Sequence, residues 1–200
     1  PNRIAQRLVT GRSGLVGMIA KINDDLTTDQ TFLEIIAGLT ASLIARDADL
    51  VLAVDQHDDP VVPYKRMLER GILDGFILNA PLVSDPRVEF LRSKGVPFVL
   101  HGQSGGPSDY AFYGIDNVAV SADAVALLTD LGHRRIAFLN GDTRLAFAAD
   151  RANGFVASMS VMGLSVPPAF AVSEPPSESY GYTRALAMLS GRLGARPTAI

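Results

Sequence analysis

From residue 15 onward, short and almost wholly apolar runs alternate with longer stretches whose apolar residues recur three and four positions apart. The first pattern is that of strands buried on both faces, the second that of helices with one buried stripe. Strands are predicted at 15–22, 49–54, 75–78 and 96–100, with helices between them. Phe32, Ile35, Ile36, Leu39 and Leu43 form one stripe, capped by Thr28 or Asp29. A helix over 60–70 closes at Gly71, and Asp85 and Pro86 supply the cap and first residue of another, stopped by Gly95. Val118, Ala122, Val125 and Leu128 share the face of a helix closed by Gly132, and 135–139 reads as a strand buried on both faces. A helix near 146–162, a short strand near 169–172, a helix near 178–192 and the start of a strand at 197–200 complete the pattern. This alternation predicts the α/β class, with parallel sheets wrapped by helices in two doubly wound lobes.

Composition adds bounds. At 48% hydrophobic and 20% charged, the 200 residues have room for one large core or two lobes. The absence of cysteine excludes disulfides, thiolate metal sites and a cysteine nucleophile. No apolar run approaches the roughly 18 residues that a membrane-spanning helix needs. Charge is divided unevenly: residues 1–23 hold Arg3, Arg7, Arg12 and Lys21 and no acid, so the acidic excess lies in the rest. Such an arm either meets a polyanion or is a solvated basic helix. Ile4, Ala5 and Leu8 fall on one side of a helix over 1–8, too short to be stable alone and expected to order against a partner. Residues 10–14, with two glycines, read as a flexible joint.

Three motifs invite a chemical reading. Gly102-Gln103-Ser104-Gly105-Gly106 matches the G-x-S-x-G elbow that presents a hydrolase serine, but Gly106, Pro107 and Ser108 prolong a loop where that chemistry needs a helix. His57, Asp58 and Asp59 form a metal-like cluster with no further ligand group evident elsewhere, and read as a solvated turn. Asn140-Gly141-Asp142 has one glycine and fits neither phosphate-binding pattern. What remains is a set of polar residues at predicted strand carboxyl ends: Asn23, Asp24, Asp55, Asn79, His101, Gln103, Asp116 and Asp142. In open parallel sheets that edge is where small ligands bind. With Phe32 and Arg151, the set offers planar donors and acceptors beside an aromatic face, a mixture suited to a sugar.

Several stretches resemble the LacI/GalR family of sugar-responsive transcriptional repressors: PNRIAQRLVTGRSGLVGMI at the start, LDGFILN, GVPFVLHGQ, YGIDN, LGHRRIAFLNG, and RANGF at 151–155. The likeness covers essentially the whole chain. It implies two periplasmic-binding-protein-like lobes, at 15–116 and 117–200, the second incomplete, with an effector in the cleft between them. Residues 1–14 then correspond to a hinge helix and joint, and a DNA-reading headpiece is expected before Pro1.

By the same resemblance, Asn2, Arg3, Ala5, Leu8 and Arg12 belong to the DNA-binding hinge. Leu8 would wedge into the minor groove beside Ala5, a costly unstacking offset by bending and added contact. Arg3, Arg7 and Arg12 would meet phosphates. Arg151 matches the arginine that clamps the effector, Phe32 a cleft aromatic, Asn79 a third-strand residue, and His101 and Gln103 the end of the fourth strand. Asn23 and Asp24 lie in a first loop that lacks the family's Asn-Pro, and His-Gly-Gln replaces the commoner acid or arginine, so the sugar's identity stays open. The expected protein is a cytoplasmic homodimer, its pairing into a tetramer left open, that binds a small carbohydrate and operator DNA, with no catalysis, cofactor, metal or membrane. The rivals are a periplasmic sugar-binding protein for transport or chemoreception, a serine hydrolase using Ser104, and an interaction module with a vestigial cleft.

Overall fold

A computed structural model of the protein describes residues 12–21, 30–105, 109–192 and 194–200. The expected arm helix with Asn2, Arg3, Ala5, Arg7 and Leu8, the first loop with Asn23 and Asp24, and the caps Thr28 and Asp29 lie outside these residues. The chain forms two compact units. The first takes in the described residues up to 79, together with 84–101 and 109–113; the second takes in 80–83, 102–105 and the described residues from 114 on.

The first unit is a parallel sheet built from β1 (Leu15–Lys21), β2 (Asp49–Asp55), β3 (Gly75–Asn79), β4 (Phe98–His101) and β5 (Ala111–Tyr113), in the order β2-β1-β3-β4-β5. The pleat sends alternate residues to opposite faces. Met18 and Ala20 of β1 meet Phe32 of α1 (Gln30–Ile44), with Ile36, Leu39 and Leu50 around them. On the other face, Ile19, Phe76, Leu78 and Leu100 pack with Tyr64 and Met67 of α2 (Val62–Glu69) and with Val88 and Leu91 of α3 (Pro86–Ser93). Asp85 caps α3 by accepting the Arg87 amide at 3.0 Å, and Pro86 opens the first turn, where a missing N–H costs nothing.

In the second unit β6 (Phe138–Asn140) pairs in parallel with β7 (Ala171–Ser173), and Ile136 bridges Ala199 in the same sense. The run 136–139 is covered on both sides, as its apolar composition predicts. Ile136 and Phe138 face Val125, Phe155 and Met159, while Ala137 and Leu139 face Phe170 and Met188. The Phe138 and Phe155 rings stack at 4.7 Å. Helices α4 (Asn117–Asp130), α5 (Ala146–Val161) and α6 (Glu178–Leu189) complete the unit.

The buried stripe of α4 keeps Val125 and the core-packed Leu128 of the expected one but departs from it at Val118. Ser121, Val125 and Thr129 are buried, whereas Val118 is 45% exposed. The cause lies on the neighbouring helix. Gly154 of α5 has no side chain, and a Cβ built there would sit 2.4 Å from the Val118 carbonyl oxygen. The helices therefore meet backbone to backbone at this point, which carries the Val118 side chain off the interface. The buried Thr129 hydroxyl is satisfied by the Ala126 carbonyl at 2.8 Å.

The segments 80–83 and 102–105 are stitched into the second unit by backbone. Leu82 bridges Leu145 in the antiparallel sense, Val83 N–H donates to the Arg144 carbonyl at 3.0 Å, and Ala146 N–H donates to that of Pro81 at 2.8 Å. Gly105 N–H donates to the Val83 carbonyl at 3.0 Å.

Two glycines separate the helix contact from general helix preference. Gly154→Ala should lower stability in urea unfolding by about 1–3 kcal/mol through overpacking. Gly181→Ala, in α6 with no atom within 4 Å of an added Cβ, should leave stability unchanged or raise it by up to about 1 kcal/mol.

Candidate functional site

Parallel pairing brings the carboxyl ends of β2, β3 and β4 to one edge of the first unit, and with them Asp55, Asn79 and His101. Asn79 and His101 occupy paired register positions, and Asn79 Oδ1 lies 2.8 Å from His101 Nδ1. Asp55 is buried and accepts from the His57 amide at 3.0 Å and from Nδ1 of the His57 ring at 2.5 Å. Burial pushes its carboxyl up, but the bonds from His57 outweigh that and hold it below its ordinary value. His57 thus turns back onto its own strand end, and no metal-holding cluster occurs among the described residues.

Beneath Asn79 lies an ion pair that the sequence did not announce. The Asp85 side chain is fully buried and that of Arg87 is 12% exposed. Arg87 Nε donates to Asp85 Oδ1 at 2.9 Å and Nη2 to Oδ2 at 2.6 Å, while Nη1 donates to the Asn79 carbonyl at 3.2 Å. Residues two apart on a helix do not face each other. Here the acid is the cap outside the helix, so its carboxylate can serve the Arg87 amide and guanidinium together.

In the second unit Arg151, half-buried on α5, donates from Nε to Asn117 Oδ1 at 2.8 Å. Its guanidinium carbon stands 5.2 Å from the centre of the Phe147 ring. Asn117 opens α4 directly after the cap Asp116, which accepts the Ala119 amide at 2.9 Å. One helix start and one ring thus hold the fork, leaving two Nη groups as further donors. The Arg151–Phe147 contact was legible as an i, i+4 pair on a predicted helix, whereas Asn117, 34 residues from its partner, gave no signal.

The other expected site residues are placed differently. Phe32 is 7% exposed and packs on Met18 and Ala20, and Gln103 is exposed within 102–105. Asp142 accepts from Arg144 Nε at 2.7 Å, a bond that draws its carboxyl below the ordinary range. Asn140 is buried at the end of β6 and donates to the Ala148 carbonyl at 2.8 Å. Ser104 gives the disfavoured hydrolase rival no support. It is buried, its hydroxyl donates to the Leu82 carbonyl at 2.8 Å, and the next element is β5 rather than a helix. A serine whose proton serves a backbone carbonyl is a tether.

Where the arm joins the first unit, Asp74 accepts three bonds at 2.8 Å: from the Ser13 amide, the Ser13 hydroxyl and the Gly14 amide. Gly14 has φ +71°, and an added Cβ would lie 2.9 Å from the Asp47 carbonyl, so the position demands glycine. The flexible joint expected over 10–14 is therefore fixed at Ser13 and Gly14. Burial pushes the Asp74 carboxyl up, while the Ser13 and Gly14 donors, aided by the Arg12 charge, hold it below its ordinary 3.8.

Two parallel-sheet units, between which the chain passes more than once, define the periplasmic-binding-protein-like class. Residues 14–191 match the family described as periplasmic binding proteins and sugar binding domain of LacI family, and the chain belongs to it. It is similar to the HTH-type transcriptional regulator AglR of Rhizobium meliloti (strain 1021), at 35% identity over 100% of this chain. The chain spans 56% of that regulator's length. A solved regulatory protein of LacI family from Chloroflexus aggregans is 25% identical, with a TM-score of 0.81 over 94% of this chain and 67% of that one. A transcriptional regulator CelR–cellobiose complex shares the fold at 22% identity, with a TM-score of 0.78 over 90% of this chain and 56% of that one. No helix among the described residues is long and apolar enough to cross a membrane.

The arm anchor has a pH signature. A carboxyl whose folded pKa is lowered adds stability above its unfolded value and loses it as pH falls through the folded pKa. Asp74→Asn should therefore cost about 2 kcal/mol at pH 6, and its deficit against the wild type should shrink below pH 3.8. Urea unfolding of both proteins across that range measures this; a deficit that does not change with pH would contradict it.

Proposed function

We propose that the chain is the effector-binding part, with its arm, of a DNA-binding transcriptional repressor whose operator affinity is set by a small saccharide. The observation that carries this reading is the donor and acceptor set of the two units. The first presents the bonded Asn79–His101 pair at a sheet edge, and the second presents the Arg151 fork over Phe147. Sugars offer hydroxyls to planar polar groups and C–H faces to rings. In this reading Asn79, His101 and Arg151 take the hydroxyls, with Gln103, Asn23 and Asp24 adding polar contacts. Phe147 supplies the aromatic face, and Phe32 serves the core first.

Residues 1–14 are the hinge and joint, 15–116 the first lobe with its short excursions, and 117–200 the second. On operator DNA, Leu8 and Ala5 enter the minor groove, while Arg3, Arg7 and Arg12 meet the phosphates, with Asn2 part of the same hinge. The repressor is a cytoplasmic homodimer and not an enzyme, and it uses no cofactor or metal. The effector acts by binding one of two states of the protein better than the other, so it moves operator occupancy only by that difference. The transport rival has no use for a cationic arm rooted on Asp74.

A thermal-shift screen of mono- and oligosaccharides and purines, with cellobiose among them, should give at least one saccharide that raises the melting temperature. Arg151→Ala should weaken that saccharide by at least about tenfold in calorimetry, since it removes a charged donor. No shift with any saccharide, or unchanged affinity in the variant, would count against the proposal.

A further inference from the structure

The Asn79 carbonyl that Arg87 holds belongs to the peptide joining Asn79 to Ala80. Ala80 has φ +48°, a left-handed conformation that a residue with a side chain adopts only under strain. This is where the chain leaves the first unit; it returns at Ser84, and Asp85 follows at once. The buried pair thus ties exit to return and holds in place a peptide whose next residue is strained. Arg87 is itself closely constrained. Both Asp85 oxygens engage it, and its charge reaches the buried Tyr64 phenol, which burial pushes above its ordinary pKa and which that charge partly restrains.

Asn79 ends β3, so holding its carbonyl restrains the end of the strand from which the Asn79 amide reaches His101. The amide oxygen can only accept, so His101 Nδ1 carries the hydrogen in their 2.8 Å bond. The other nitrogen of the neutral ring, Nε2, is then an acceptor. We propose that Arg87 is the positioning residue of the Asn79–His101 pair, fixing through the Asn79–Ala80 peptide the tautomer in which His101 offers Nε2 to a donating ligand hydroxyl. Only the last step rests on the saccharide reading. The preceding chain of contacts stands without it.

The test is the His101 tautomer, read from imidazole nitrogen resonances of the labelled chain at a pH where the ring is neutral. The wild type should show the Nδ1–H form. Arg87→Lys keeps the charge for Asp85 but loses the fork, and should shift His101 toward the Nε2–H form that free neutral histidine prefers. Ala80→Gly in that background removes the strain at positive φ and should restore part of the Nδ1–H population. Loss of packing alone would not be reversed by a glycine at this position. If Arg87→Lys does not fold, the double variant Asp85→Asn, Arg87→Met removes both charges together and carries the same measurement. An unchanged tautomer in a folded Arg87 variant, or no recovery with Ala80→Gly, would overturn the proposal. In parallel, calorimetry with cellobiose should show at least about tenfold weaker binding for Arg87→Lys. Failure of cellobiose to bind the wild type would count against it as the effector, while the tautomer decides the role of Arg87 in either case.

Discussion

Parallel pairing is the constraint from which the first unit's chemistry follows. With all strands running one way, every carboxyl end reaches the same edge, and the apolar faces must be covered by helices on both sides. Ile19, Phe76, Leu78 and Leu100 meet α2 and α3, and Met18 and Ala20 meet α1. The polar residues that end β2, β3 and β4 are thereby gathered at one edge without any of them being needed for the core. Asn79 and His101 can bond each other there because register makes them neighbours.

Such an edge holds a ligand only if its polar groups keep fixed directions. At β3 this is done by a buried ion pair, an arrangement that rarely gains stability over an apolar replacement but is costly to break by halves. Its use here lies in geometry. Asp85 caps α3, orients Arg87, and through it fixes the carbonyl at which the chain departs. Arg151 is fixed by analogous economy in the second unit, where Asn117 takes Nε and Phe147 stands under the plane.

Much of this was legible locally. The cap and proline at Asp85 and Pro86, the doubly buried run 136–139 and the glycines that close helices act within a few residues, so sequence reads them directly. Misreadings came where one residue's role is set by another far along the chain. Val118 belongs to a sound apolar stripe, yet Gly154 decides which side of α4 is covered. The hydrolase-like pattern at Ser104 was already disfavoured by the loop after it, but the carbonyl that takes its proton, more than twenty residues earlier, was not readable. Ser13 and Gly14 look like a free joint until Asp74, about sixty residues on, takes three of their donors. Strand-end position singled out Asn79 and His101, and the family resemblance gave them and Arg151 their expected roles; the residues that hold them, Asn117, Phe147 and Arg87, came from the structure.

The central claim is that Asn79, His101 and Arg151 serve one saccharide. Side-chain resonances of these three residues, followed while the saccharide most effective in thermal shift is titrated into the labelled chain, test it directly. The account predicts that all three shift together and saturate with a single dissociation constant. Saturable binding that leaves Arg151 unmoved, or moves neither Asn79 nor His101, would contradict it.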